Sequence, residues 1–254
     1  MGAPHGHALH FHGHSPVHRL PAHVKIVVLV GYVLAVVATP RGVFWPYAAH
    51  LLALAGAVAG SRVPLPHLAK RLVIEVPFVV FALVLPFVAT GPRTAVGPVE
   101  ISQPGLEAAA ALLAKGTLGV LASLLLAATT EPRDIVAGFE KLRLPQPLVQ
   151  IMSFMLRYTE VVAADLGRMR VARESRGFRA RSVRQWPALG ATLGTLFIRS
   201  YERGERVHLA MLSRGYTGRL PTLRPLTATG SQWAAGVLLP IACGFVSAAA
   251  VLAG

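Results

Sequence analysis

Five stretches of this chain are almost free of charged residues, and each comes close to or exceeds the length needed to cross a lipid bilayer. They run over Val24–Ala38, Val43–Gly60, Leu72–Ala89, Leu106–Ala128 and Trp233–Ala253. Crossing takes about 20 apolar residues, with roughly 17–25 the usual range. The first stretch is short alone; a snorkelling Lys25 and Thr39 extend it. Pro46, Pro77, Pro86 and Pro240 fall within or at the ends of stretches, where membrane helices tolerate them. Trp45, Tyr47 and Trp233 fall at ends, where amphipathic rings favour the interface. The first stretch is not read as a cleavable signal peptide. A His-rich tail precedes it, no small-residue cleavage site follows, and Pro40-Arg41-Gly42 leads straight into the next stretch.

Composition narrows the class further. Of 254 residues, 54% are hydrophobic and 14% charged, yet the net charge is +14. A disordered basic chain is excluded by the apolar content, and a disulfide scaffold by the single cysteine, Cys243. A soluble nucleic-acid binder would spread its basic residues over an ordinary charged surface, whereas here they are confined to the connections. Counted loop by loop, 22 Lys and Arg fall on one side of the five stretches and two, Arg41 and Arg93, on the other, with Lys115 inside a stretch. Basic loops stay in the cytoplasm, which places the N-terminus inside and the C-terminus outside. Glu75, His50, Glu107 and Lys115 are the ionisable groups in or near the stretches. Lys115 reads either as a functional intramembrane group or as a snorkelling or interhelically bonded side chain.

Residues 130–229 read as three helices. The first runs Asp134–Leu142 with Ile135, Phe139 and Leu142 on one stripe, Thr130 as a possible cap and Pro132 near the first turn. The second covers about Leu148–Ser175, with Leu148, Met152, Met155, Val162, Leu166 and Met169 on one face. The third covers about Ala188–Ser213, with Leu189, Leu193, Phe197 and Tyr201 on one side. Arg170 with Glu174, and Glu202 with Arg206, sit four apart on solvated faces.

The two long helices end alike. Ala172-Arg173-Glu174-Ser175-Arg176-Gly177-Phe178 and Ala210-Met211-Leu212-Ser213-Arg214-Gly215-Tyr216 both read Ala-x-x-Ser-Arg-Gly-aromatic, 38 residues apart. Glycine is a natural left-handed stop and Arg complements the helix dipole, so one copy alone reads as a cap. Two copies point to a docking device, because an Arg fork beyond a rigid helix end suits a carboxylate on a partner.

On these residues the chain resembles the transmembrane T component of energy-coupling-factor (ECF) transporters, and more closely its cobalt/nickel branch, CbiQ. The resemblance covers roughly residues 16–250. It rests on the four-span start, the segment from Thr129-Thr130-Glu131-Pro132 to Leu144-Pro145, the stretch from Arg157-Tyr158 to Arg168-Met169, and the paired Ser-Arg-Gly motifs. It implies that the ends of two coupling helices, Ala172, Ser175, Arg176, Gly177 and Ala210, Ser213, Arg214, Gly215, dock through Arg176 and Arg214 into grooves of cytoplasmic ABC-type ATPase subunits. Ser175 and Ser213 stand where the family often has Ala. The implied partners are those ATPases, a membrane substrate-binding S component and the lipid bilayer, with no nucleic acid and no cofactor.

The expected fold is therefore all-α and polytopic, with about five transmembrane helices in a multi-pass plasma-membrane protein. Its parts are a His-rich cytoplasmic tail (1–23), a four-helix transmembrane part (24–129), a cytoplasmic coupling module (130–229) and a last transmembrane helix (230–254). The chain is expected to be a non-catalytic subunit. It has no Gly-x-x-x-x-Gly-Lys-Ser/Thr phosphate loop; Lys115-Gly116-Thr117 inverts the order. Seven of ten histidines fall in the first 23 residues, and His5, His7, His10, His12 and His14 form a candidate site for a divalent transition metal, against a disordered leader with no physiological role. A vitamin-type importer subunit, or a membrane anchor whose basic module binds lipid or a partner, are the alternatives.

Overall fold

All five apolar stretches are helical in the computed structural model, which describes residues 13, 15–96, 99–178, 186–218 and 227–253. It comprises two units, residues 9–138 with 226–254, and residues 139–225.

In the first unit a short α1 (Pro16–Arg19) precedes α2 (Ala22–Ala38), α3 (Trp45–Ser61) and a five-residue α4 (Leu65–Ala69). The third apolar stretch is broken: a 3₁₀ turn, Leu72–Glu75, leads into α5 (Val76–Val88). A short β-hairpin follows in this otherwise helical chain. β1 (Arg93–Val96) pairs antiparallel with β2 (Val99–Ser102), Arg93 opposite Ser102. The unit continues with α6 (Gln103–Thr129) and closes with α10 (Gly230–Ala253). Among the described residues, α6 and α10 are the helices both long and apolar enough to cross a membrane, and α2 and residues 72–88 are shorter apolar helices. At 1.5 Å rise per residue, the 17 residues of α2 span about 25 Å, short of the roughly 30 Å hydrocarbon thickness.

Tyr32, Val36, Leu54, Leu118, Ala122, Leu125 and Cys243 from α2, α3, α6 and α10 form the core of this unit. The seam between α2 and α10 closes on glycine. A Cβ at Gly236 would lie 2.7 Å from Val24 Cγ1, and one at Gly31 would lie 2.9 Å from Pro240 Cβ. The outward faces stay apolar. On α5 only Ala82 and Pro86 are buried, while Phe78, Phe81, Leu83 and Phe87 are exposed. Apolar side chains around most of a helix suit hydrocarbon surroundings rather than water.

Two expectations at the ends of α6 are corrected. Lys25 does not snorkel: it is buried and its Nζ donates to Thr129 O (2.8 Å), Thr130 Oγ1 (3.1 Å) and His18 O (3.3 Å). Thr130 accordingly closes α6 instead of opening the next helix, and it is Glu131 O that accepts from Ile135 N, at 3.0 Å. Glu131, not Thr130, immediately precedes the first residue of α7, so the threonine lies one position too early to cap it.

α7 (Pro132–Lys141) carries the chain from one unit to the other. The second unit then holds α8 (Gln146–Ser175) and α9 (Trp186–Leu212). Among the described residues of these two helices only Val149 and Leu196 are buried. The stripe of Leu193, Phe197 and Tyr201 is exposed. Two long helices share one seam, so among the described residues of this unit the rest of each apolar face is left uncovered.

Candidate functional site

The two Ser-Arg-Gly ends adopt one cap geometry. At the end of α8, Gly177 has φ 75°, its N–H donates to Glu174 O (3.0 Å), and Phe178 N donates to Arg173 O (3.1 Å). At the end of α9, Gly215 has φ 80°, its N–H donates to Leu212 O (3.0 Å), and Tyr216 N donates to Met211 O (3.0 Å). These are the paired bonds of a Schellman cap, which needs a left-handed residue that glycine adopts without a Cβ penalty. Ser175 Oγ donates to Ala172 O and Ser213 Oγ to Ala210 O, each at 3.0 Å. The motif's alanine and serine thus act as one bonded pair in both copies. Arg176 and Arg214 are exposed, and neither forms an ion pair among the described residues.

The helices that carry these ends run antiparallel. Tyr216 Oη, just past α9, donates to Gln150 Oε1 near the start of α8 at 2.6 Å, and Gln150 Nε2 donates to Gly218 O. Further along, Arg203 Nη2 donates to Asp165 Oδ2 at 2.9 Å, and Arg168 binds the other oxygen. Asp165 is largely buried, with 13% of its side chain exposed, so this pair is better shielded than a surface ion pair. Beyond it, Arg173 and Arg176 face Thr192 and Thr195 of α9 across a cavity. The two arginine ends therefore lie at opposite ends of the pair, about 39 Å apart along α8 counted from Gln150 to Arg176. Arg170 Nε donates to Glu174 Oε1 at 2.9 Å, and that bond raises the already high pKa of the guanidinium. Glu202 and Arg206 approach to 3.9 Å.

Polar groups of the first unit that sequence reasoning left unassigned come together between helices. Thr39 Oγ1, His50 Nε2 and Ser247 Oγ form a buried triangle with sides of 3.1–3.2 Å, joining α3 and α10 at the end of α2. Ser247 Oγ also donates to Ala35 O (2.7 Å), and Tyr32 Oη donates to His50 O (3.1 Å). Lys115 is interhelically bonded: its Nζ donates to Val37 O and Thr39 O, both at 2.8 Å. Glu75 is buried and accepts from Thr117 Oγ1 at 2.6 Å. Only the ionisable members carried a signal in the sequence, as charges inside apolar stretches.

Among the described residues no cluster of three or more His, Cys, Asp or Glu side chains is placed to hold a metal ion. The tail histidines His5, His7, His10, His12 and His14 lie outside the described residues.

Residues 13–223 match the family described as cobalt transport protein, CbiQ. The chain is 31% identical over 128 residues to an uncharacterised protein of Methanocaldococcus jannaschii, covering 50% of this chain and 48% of that protein. It thus spans about half the length of that relative. It is 30% identical over 224 residues to the energy-coupling factor transporter transmembrane protein EcfT of Bacillus selenitireducens, 81% of each chain. It is 26% identical over 198 residues to the cobalt transport protein CbiQ of Rhodobacter capsulatus, 73% of this chain and 80% of that one.

Proposed function

Because the chain belongs to the cobalt transport protein family CbiQ, we propose that it is the transmembrane T subunit of an ATP-driven ECF importer for a divalent transition metal, cobalt or nickel. It is a non-catalytic, multi-pass subunit of the plasma membrane with its N-terminus in the cytoplasm. Residues 130–229 act as its coupling module, joining ABC-type ATPase subunits to a membrane substrate-binding subunit. ATP hydrolysis belongs to those ATPase chains.

The observation that carries this reading is the pair of identically capped ends, Arg176 and Arg214, at opposite ends of one antiparallel helix pair. Two equivalent probes about 39 Å apart along the helix suit two copies of a similar partner. Each cap fixes the direction in which its Arg leaves the helix. Asp165 with Arg203, and Gln150 with Tyr216, tie α8 to α9, so displacement of one end moves the other.

The metal assignment draws on the family description and on His5, His7, His10, His12 and His14, which as neutral imidazoles suit a borderline divalent ion. A T subunit serving a vitamin-binding partner is the second reading, favoured by the similarity to EcfT. Co-expression with the ATPase and substrate-binding subunits encoded beside it separates the two, through uptake of radioactive cobalt or nickel against labelled vitamins. In that complex the double change Arg176→Glu and Arg214→Glu is expected to leave the chain inserted but to release the ATPases in a pull-down and end uptake. Losing a buried charged partner costs roughly 2–5 kcal/mol. Reversals at Arg181 and Arg184 have a much smaller effect. Equal loss from that control pair would mean a diffuse basic surface and defeat the two-ended docking.

A further inference from the structure

An open cavity between the C-terminal part of α8 and the N-terminal half of α9 is lined by three arginines and, among the described residues, by no acid. Arg173 and Arg176 come from α8 and Arg199 from α9, with Thr192 and Thr195 beside them, around a volume of about 270 Å³. Among the described residues none of the three arginines is in an ion pair. Arg173 is the telling one: its Nε and Nη1 are buried and have no hydrogen-bond partner. Buried donors in folded proteins are nearly always paired, and three cations converging on one cavity repel one another. Thr192 and Thr195 donate their hydroxyl protons to Ala188 O and Ala191 O, each at 2.9 Å. The guanidinium groups are therefore the donors left to serve a guest.

We propose that this cavity binds a phosphate-class dianion, gripped by Arg173, Arg176 and Arg199, whether inorganic phosphate or the phosphomonoester headgroup of a lipid. Three forked donors match a tetrahedral group with three free oxygens and two charges, whereas a carboxylate offers two oxygens and one charge. The site shares Arg176 with the docking reading, but its test concerns the chain alone and the variants below keep Arg176, so failure of one reading is distinguishable from failure of the other.

The test uses the full chain in phosphatidylcholine nanodiscs, with inorganic phosphate titrated against chloride at constant ionic strength and the thermal midpoint as readout. Phosphate should raise the midpoint saturably. Arg173→Gln and Arg199→Gln, each read against its own phosphate-free midpoint, should weaken the apparent Kd about tenfold or more. Arg206→Gln, on the exposed surface of α9, should leave it unchanged. Nanodiscs containing phosphatidic acid separate the sources. If the lipid raises the midpoint and added phosphate then does nothing, the headgroup is the ligand; if phosphate still acts in full, the soluble ion is. The proposal is overturned if neither raises the midpoint above chloride, or if both cavity variants respond as the native chain does. Arg199 is exposed, so its variant decides alone should Arg173→Gln not fold.

Discussion

Lys25 and Lys115 cap each other's helices. Lys25, on α2, places its ammonium 2.8 Å from Thr129 O at the end of α6, and Lys115, on α6, places its own 2.8 Å from Val37 O and from Thr39 O at the end of α2. The arrangement follows from antiparallel packing, which sets the C-terminus of each helix against the side of the other. The last carbonyls of a helix lack intrahelical donors and sit at the negative end of its dipole. A lysine amid apolar helices needs such acceptors to remain there. These two lysines thus tie the end of each helix to the side of the other and set how α2 and α6 are placed along each other.

Replacing either lysine by Met keeps most of the side-chain volume but removes the charged donor. Hydrogen bonds to charged groups contribute about 1.5–3 kcal/mol, so Lys25→Met is expected to destabilise the first unit by about 2 kcal/mol, as its three acceptors are orphaned in a buried place. Lys115→Met should cost less, because its site is partly exposed. Thermal unfolding in a single detergent measures both. A null effect of Lys25→Met would show that the caps do not hold the pair together.

Glycines on α10 should respond to the same change with opposite sign. Gly236→Ala adds a Cβ that meets Val24 Cγ1 at 2.7 Å, and Val28 Cγ2 at 3.1 Å, at the seam with α2. Overpacking of this kind costs about 1–3 kcal/mol. Gly244→Ala adds its Cβ to open space and removes a weak helix former, a gain of up to about 1 kcal/mol. Unfolding midpoints of the two variants moving together would contradict the close approach of α2 and α10.

The helix caps make a prediction that joins stability to coupling. Gly177→Ala and Gly215→Ala find no atom within 4 Å of the added Cβ, so their cost is conformational. Holding an L residue in the left-handed region costs about 1–2 kcal/mol. Each variant is expected to fray the last turn and misdirect the adjacent Arg, which weakens ATPase capture in a pull-down. Gly→Asn at the same positions should retain more, since Asn tolerates that region better. If Ala and Asn variants capture the ATPases as well as glycine does, the direction fixed by the cap is immaterial to docking.

Sequence made the helices and the paired ends legible because both depend on local pattern. The apolar stretches mark α2, α3, α6 and α10, and Ala-x-x-Ser-Arg-Gly-aromatic specifies its own cap bonds. The hairpin was missed although Gly97-Pro98 between short β-branched runs is a turn signal; an apolar chain of helices made it easy to pass over. The triangle of Thr39, His50 and Ser247 had no comparable signal. Thr39 and Ser247 are 208 residues apart in sequence, and single small polar residues in apolar helices are ordinary. How far α8 and α9 are covered was not legible, because amphipathic stripes show which face is apolar but not what lies against it.

Helix directions yield the last prediction. Val24 faces Gly236 and Gly31 faces Pro240, and Ala35 accepts from Ser247, so residue numbers rise together along the seam and α10 runs parallel to α2. The bonds of Lys25 to Thr129 and of Lys115 to Val37 make α6 antiparallel to both. The chain therefore enters α2 and α10 from the same end of the first unit and leaves α6 there. That end carries the basic connections, which the preference of Lys- and Arg-rich loops for the cytoplasm predicts to lie inside, while Arg41 and Arg93 are the basic residues of the connections at the other end. A reporter fused after Gly254 is accordingly expected to score as extracytoplasmic, and one inserted within residues 178–187 as cytoplasmic. Adding Lys or Arg beside Arg41 should erode that asymmetry and give mixed reporter activity. Both reporters scoring on the same side would rule out a single crossing by α10 and, with it, the five-span topology.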